Sequence, residues 1–456
     1  MEKQGLFSIC VLLGVGTAAC GGDDGPCDPV AATGCEDGQV CEVVSGGEPQ
    51  CFAPVVLRGK VFAMASGAGV AGARVVALDA NGAPQSTVAV SATDGAYELR
   101  VPSERMTDGA VLGRNVTLRA DAATYVSFPS GIRTALPIDT RTATLVSDKL
   151  VIMSALTDVG LVALPSAPAG SIAGKVQAPP AHGGVLVVAE SGDAVATAVA
   201  DRDGDYKIFN LAPGAWTVKA YAQGSNYTPV EATVAAAAVT ANLDLSTAAA
   251  SKVTGSISIV DPEGAGATSV ILVVESTFDD LLARGETPPG LRAGNVTNAF
   301  TIEGVPAGRY VVLAGFENDG LVRDPDTSIG GTQIVHIAVQ SGADTAAGTG
   351  FKVTGARDTI APGRDLPEMV TGKPMLTWED DSSEDAYRLL VFDALGNKVV
   401  DMEVPRETSR DPSVPYEGPL EKGMVYQFRA ISLRGPTGDR VPISSTEDLR
   451  GVFFMP

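Results

Sequence analysis

The stretch DRDGDYKIFNLAPGAWTVKAY, Asp201 to Tyr221, decides how the chain is read. Asp201, Asp203 and Asp205 stand at alternate positions ahead of a run in which Tyr206 and Ile208, then Trp216, Val218 and Ala220, recur at period two. Period two places each set on one face of a sheet. Pro213 and Gly214 break the run and turn the chain back. The acids pose the functional question, because clustered loop carboxylates are one way to supply the six to eight oxygens calcium prefers. The helix-loop-helix calcium loop needs Gly at its sixth position and a bidentate Glu at its twelfth. Here Gly204 falls fourth and Ala212 twelfth, whereas Asp203-Gly204 is a hairpin signal. We read the stretch as a sheet corner.

The same pattern recurs on both sides. An opening strand is written LRGKVFA at 57–63, IAGKVQA at 172–178 and VTGSISI at 253–259. Buried-strand runs follow: ARVVALDA at 73–80, GVLVVAES at 184–191 and SVILVVES at 269–276. A turn and an alternating strand complete each copy: TDGAYELRV from 93, RDGDYKIFNLAPGAWTV from 202 and TNAFTIEGVPAGRYVV from 297. Copies two and three align Tyr206 with Phe300, Ile208 with Ile302 and Leu211 with Val305. Copies of this length suit one sandwich each. With their Gly-Lys-Val opening, Asp-Gly-x-Tyr turn and later Pro-Gly-x-Trp, they resemble the carboxypeptidase regulatory-like domain. That resemblance implies a transthyretin-like β-sandwich and an accessory, non-catalytic role. In the third copy Asn298-Ala299 replaces Asp-Gly, and an insertion, TFDDLLARGETPPGLRAG, suggests a short helix in its first half.

From about residue 356 the pattern changes. KPMLTWEDD supplies a strand with Trp378, and AYRLLVFDALGNKVVD a strand–turn–strand. Leu420, Gly423 and Tyr426 have the spacing of a tyrosine corner. This segment resembles a fibronectin type III domain.

At the other end, MEKQGLFSICVLLGVGTAAC has a charged start and an apolar run from Leu6 to Val15, too short to span a bilayer and suited to a signal peptide. Its ending Thr-Ala-Ala-Cys resembles the lipobox of bacterial lipoproteins, although Thr17 stands where that family favours a larger aliphatic residue. The resemblance implies an acylated Cys20; the alternative is an ordinary secretory signal. With Cys10 removed and Cys20 acylated, Cys27, Cys35, Cys41 and Cys51 remain for two disulfides. They admit three connectivities, of which we favour the crossed one, 27–41 with 35–51. Zinc is the alternative, but the spacings lack a CxxC pair and no His lies nearby. The segment has too few apolar residues for a core, so cross-links supply its order. It reads as a spacer lifting the remainder off a membrane.

The chain of 456 residues carries a formal net charge of −21, which would repel a phosphate backbone and argues against nucleic-acid binding. Two His occur, His182 beside a Pro-Pro turn and His336 within IVHIAV; neither belongs to a catalytic or metal motif. Adjacent carboxylates such as Asp279-Asp280 and Asp380-Asp381 point to opposite strand faces or lie in turns. Besides the Asp201 cluster, the calcium candidates are Asp319, Asp324 and Asp326 in ENDGLVRDPD, with Glu317 and Arg323 beside them. Asn and Asp also dominate turns for purely local reasons. Three Asn-x-Thr sequons, at Asn115, Asn226 and Asn295, are attributed to chance in a bacterial lipoprotein.

The expected protein is all-β: tandem β-sandwiches behind a small disulfide-stapled N-terminal segment. Its layout is a signal peptide at 1–19, a lipid-anchored Cys-rich spacer at 20–54, regulatory-like sandwiches at 55–168, 169–248 and 249–355, and a fibronectin type III-like sandwich at 356–456, set in a row. The expected role is a non-enzymatic outer-membrane scaffold or adhesion module, facing cell surface or periplasm. Its expected partners are the membrane, through the anchor, and a polysaccharide or envelope protein; no cofactor is expected. The rivals are an accessory subunit of a transport or secretion machine and a calcium-rigidified adhesin.

Overall fold

The computed structural model describes residues 27–456 except 30–32, 37, 131–132, 167–169, 180–183, 236, 261–265, 280–283, 315–318, 324–331, 349 and 407–409. Among the described residues the regular structure is β-strand, with three short 3-10 turns and no α-helix.

The quoted stretch forms strands Asp205–Leu211 and Gly214–Ala222, and the turn between them carries the chain from one sheet of a sandwich to the other. In the first sheet Gly170–Lys175 is central, antiparallel to Asp205–Leu211 and parallel to Ala238–Thr240. In the second, Leu186–Ser191 lies between Ala194–Val199 and Gly214–Ala222. Tyr206, Ile208, Trp216 and Val218 meet in one core between the sheets. The flanking copies repeat this connectivity. Val55–Ala63 pairs antiparallel with Ala96–Val101 and parallel with Lys149–Ile152. Ser251–Val260 pairs antiparallel with Ala299–Val305 and parallel with Phe351–Gly355.

One device explains why the opening strand needs its glycine. Gly59 sits opposite Tyr97, Gly174 opposite Tyr206 and Gly255 opposite Phe300. The Tyr97 hydroxyl donates to the Thr157 carbonyl at 2.6 Å, and Tyr206 to Ala241 at the same distance. A Cβ on Gly59 or Gly174 would come within 1.8 Å of that same carbonyl oxygen. Glycine therefore clears the path along which the ring reaches a carbonyl at the end of the neighbouring segment, Thr157 in a 3-10 turn or Ala241 just after a parallel strand. In the third copy Phe300 has no hydroxyl to place, and Ala347 packs there instead.

The C-terminal unit packs a three-stranded sheet, Thr359–Ala361, Met375–Trp378 and Ser413–Pro415, against a six-stranded one built on Ala386–Asp393 and Val425–Arg434. Trp378 is fully buried, edge-on to Tyr387 at 5.3 Å. The Tyr426 hydroxyl accepts the Glu421 N–H at 3.1 Å, the bond of a tyrosine corner.

Disulfides join Cys27 to Cys41 and Cys35 to Cys51, the crossed connectivity. The stapled segment is not a free spacer. Val40–Val44 pairs in parallel with Glu104–Arg105 of the first sandwich. Buried Glu42 accepts the Ser103 N–H at 2.8 Å and pairs with Arg105 at 2.5 Å. Any lifting role falls to residues before Cys27, which lie outside those described.

The sandwiches are not in a row either. The first touches the second, the third and the C-terminal unit, and the third touches both the second and the C-terminal unit. The buried-strand runs show why. Val187 and Ala189 enter the core of the second sandwich, while the intervening Leu186 and Val188 join the core of the third. Likewise Val75 and Ala77 fill the first core, while Val76 and Leu78 meet Val199 of the second. A strand covered on both faces needs a continuous apolar run, and it obtains the second cover from a neighbour.

Candidate functional site

The Asp201 loop comes first because its acids are the strongest metal candidates. The three carboxylates approach within 4.8 Å of one another. Asp201 Oδ1 accepts the N–H groups of Asp203 at 3.1 Å and Asp205 at 2.8 Å, so it closes the turn itself. Gly204 has φ +83°, and a Cβ there would lie 2.2 Å from the Val176 carbonyl. Arg74 of the first sandwich lies 3.7 Å from Asp201, and Lys175 lies 3.5 Å from Asp205. The acids serve a hairpin and a seam between sandwiches, and two cations already stand against them.

The second cluster lies at another seam. Asp319 Oδ1 accepts the Leu321 N–H at 3.0 Å, and the neighbouring Gly320 N–H donates to Glu447 of the C-terminal unit. Burial pushes the Glu447 carboxyl up to about 8; Asp319 adds to the rise, while the Gly320 N–H and Arg450 oppose it. Glu317, Asp324 and Asp326 lie outside the described residues, as do Cys20, His182 and Asp280. His336 stands on an exposed strand face, its Nδ1 2.8 Å from Glu275, which Arg309 also engages. Cys27, Cys35 and Cys51 also come together, but their sulfurs are spent in disulfides. Asn226 is buried, donating to the Ala248 carbonyl and accepting the Ala307 N–H of the third sandwich, which removes it as an accessible sequon.

Sequence reasoning missed the seams themselves. The insertion of the third copy begins beside the 3-10 turn Glu275–Thr277 and includes a bridge between Asp279 and Arg284; the short helix expected in its first half falls on residues 280–283, outside those described. The insertion works as a strap. Arg284 pairs with Asp448 of the C-terminal unit at 2.5 Å. Glu286 pairs with Arg119 of the first sandwich at 2.5 Å, Thr287 donates to the Asn81 carbonyl at 2.7 Å, and Arg292 lies 3.2 Å from Asp79.

Arg119 joins three sandwiches at one point. It is buried, holds Asp121 of its own sheet at 2.8 Å, and donates to Thr197 Oγ1 of the second sandwich at 2.9 Å as well as to Glu286. Burial alone would lower its pKa, but Asp121 and Glu286 outweigh that and raise it, so the guanidinium stays charged. The apolar signal was in the continuous strand runs. The arginines, single and scattered along the chain, gave none.

No family model and no curated protein matches the sequence. Solved structures similar to parts of the chain include a DUF3823 family protein from Bacteroides uniformis, 11% identical, covering 45% of this chain and 100% of its own, with a TM-score of 0.21. BcpA, the major pilin subunit of Bacillus cereus, is 10% identical, with 66% and 99% covered and a TM-score of 0.17. GBS52, the minor pilin of Streptococcus agalactiae, is 12% identical, with 42% and 99% covered and a TM-score of 0.17. At these TM-scores the likenesses assign neither a family nor a function.

Proposed function

We propose that this chain is an exported, acyl-anchored, non-enzymatic scaffold of the cell envelope, in which interlocked sandwiches act as one rigid platform. The observation that carries the reading is the strap from the third copy, which ties the first sandwich and the C-terminal unit to the third. Such a body holds surface loops of distant segments at fixed separations, which suits presentation to a polysaccharide or another envelope protein. The lipobox-like ending at Cys20 and the two disulfides support export. Regulatory-like and fibronectin-like ancestry fits the Gly–Tyr device and the tyrosine corner. Ionic and apolar seams between the units take the part that calcium plays in the rival adhesin reading.

Two measurements test the proposal. Cys20→Ser should move the protein from the detergent phase to the aqueous phase; a wild type already in water removes the anchor. Small-angle scattering of the released body should give a radius of gyration near the compact-chain value, about 22 Å for this length. A value roughly twice that, as for sandwiches strung end to end, removes the platform.

A further inference from the structure

Where the first sandwich meets the C-terminal unit there is a cleft of about 320 Å³. We propose that this cleft is an anion-binding site for a small organic ligand bearing a carboxylate or phosphate. Four arginines line it, Arg114, Arg141, Arg364 and Arg450, against two aspartates, Asp139 and Asp365. In a chain with a formal net charge of −21, that local reversal of sign is the first observation.

The second is how the charges are used. Asp139 is buried and spent: its carboxylate takes the Arg141 guanidinium through Nε at 2.9 Å and Nη2 at 2.6 Å, and also accepts the Arg141 N–H. Arg141 then reaches across the seam to the Asp365 carbonyl at 2.6 Å. Gly113 makes room, since a Cβ there would lie 2.1 Å from Arg141 Cγ. Arg364 pairs with Asp358 at 3.3 Å, but both side chains are more than half exposed, so the pair is weak. Arg114 donates to neutral Gln85 at 3.2 Å. Among the described residues neither Arg114 nor Arg450 has a carboxylate within 4.0 Å. Arg114 and Arg450, half-buried and without a direct ion pair among the described residues, thus share one cleft with Arg141, which Asp139 holds on one wall and the Asp365 carbonyl on the other.

Guanidinium groups match a pair of carboxylate or phosphate oxygens with paired N–H donors. A concave wall also focuses their field on the space in front. Leu112 and Leu366, 38% and 48% exposed, line the same cleft and offer cover to a short apolar body. The volume lies at the lower end for ligand pockets, which sets the size of the guest, and a seam between domains is where such pockets concentrate.

The test is calorimetric titration of the full mature chain at low salt with inorganic phosphate and with glutarate, glutaramide serving as the uncharged control. We expect saturable binding of at least one anion, none of the amide, and a loss of tenfold or more in Arg114→Gln/Arg450→Gln. Arg58→Gln, outside the cleft, should bind as the wild type does. Should the double variant not fold, Arg450→Gln alone, compared with wild type for the rise in melting temperature on adding the bound anion, serves instead. Absence of saturable heat with both anions overturns the proposal. So does undiminished binding by the folded cleft variant, or a response that sodium chloride reproduces.

Discussion

The second and third sandwiches meet through a broad apolar seam, whereas the first meets both of them mainly through ionic contacts, with Val76 and Leu78 packed on Val199 of the second. On the apolar side, Leu186, Val188 and Tyr221 of the second sandwich belong to the same buried cluster as Tyr310 and Val312 of the third, with Tyr221 edge-on to Tyr310 at 6.0 Å. On the ionic side stand Arg119, Arg74 and Arg292 with their carboxylates and carbonyls. Apolar burial is non-directional and grows with area, so the first seam fuses two cores. Buried ion pairs stabilise little over an apolar substitute but are costly to leave half-made, so the second seam enforces one arrangement. One seam supplies adhesion between units and the other supplies geometry.

The greatest loss should follow Tyr221→Ala. Removing a buried aromatic costs about 3–5 kcal/mol, and because the side chain bridges two cores, hydrogen exchange should rise in both sandwiches together. Opening confined to residues 169–248 would mean the cores are not fused. Arg119→Met should cost about 2 kcal/mol, since Asp121 and Glu286 lose their cation while Glu286 keeps part of its exposure to water. Adding Glu286→Leu should recover much of that loss in the melting temperature; strictly additive losses would show that the two groups are not coupled.

A smaller effect belongs to the seam between the third sandwich and the C-terminal unit. Glu447 holds its proton more tightly in the folded chain, at about 8, than at the ordinary 4.5 of the unfolded one. The unfolded chain therefore ionises first as pH rises. Stability from this group is fully present below about pH 4.5, is lost progressively up to about 8, and then levels off. Glu447→Gln should flatten that slope; urea midpoints at pH 5 and 8 that fall equally in both proteins would contradict it. The least effect is expected from calcium. If Arg74 and the hairpin already use the Asp201 loop, melting curves with calcium and with chelator should coincide, in wild type and in Asp203→Ala. A true site would add roughly 2.7 kcal/mol at a hundredfold excess over its dissociation constant.

Much of the interior was legible. Alternation from Tyr206 to Ala220 marks two sheet faces because the period of a strand is fixed by its pleat. The repeated opening glycine marks a close approach, although its partner, a tyrosine ring crossing to a carbonyl, emerges only from the pairing register. The crossed disulfides were one of three connectivities the spacing allowed. The seams were only half legible. A run such as GVLVVAES states that both faces are covered without naming the cover. The polar contacts of the first sandwich with the second and third join residues 78 to 213 positions apart, and no local period records them. For the same reason the ENDGLVRDPD cluster could be noticed but not connected to Glu447.

The strap also imposes a timetable. Arg119 and its partner Glu286 are separated by 167 residues, so during synthesis the first sandwich emerges, with only Asp121 beside the arginine, long before this second carboxylate exists. Until then the part of its arginine face that Glu286 covers stays hydrated and open. We expect a chain truncated before Thr277 to be cut by protease at that surface where the full chain is not. Assembly completes only when the third copy arrives to close what the first began.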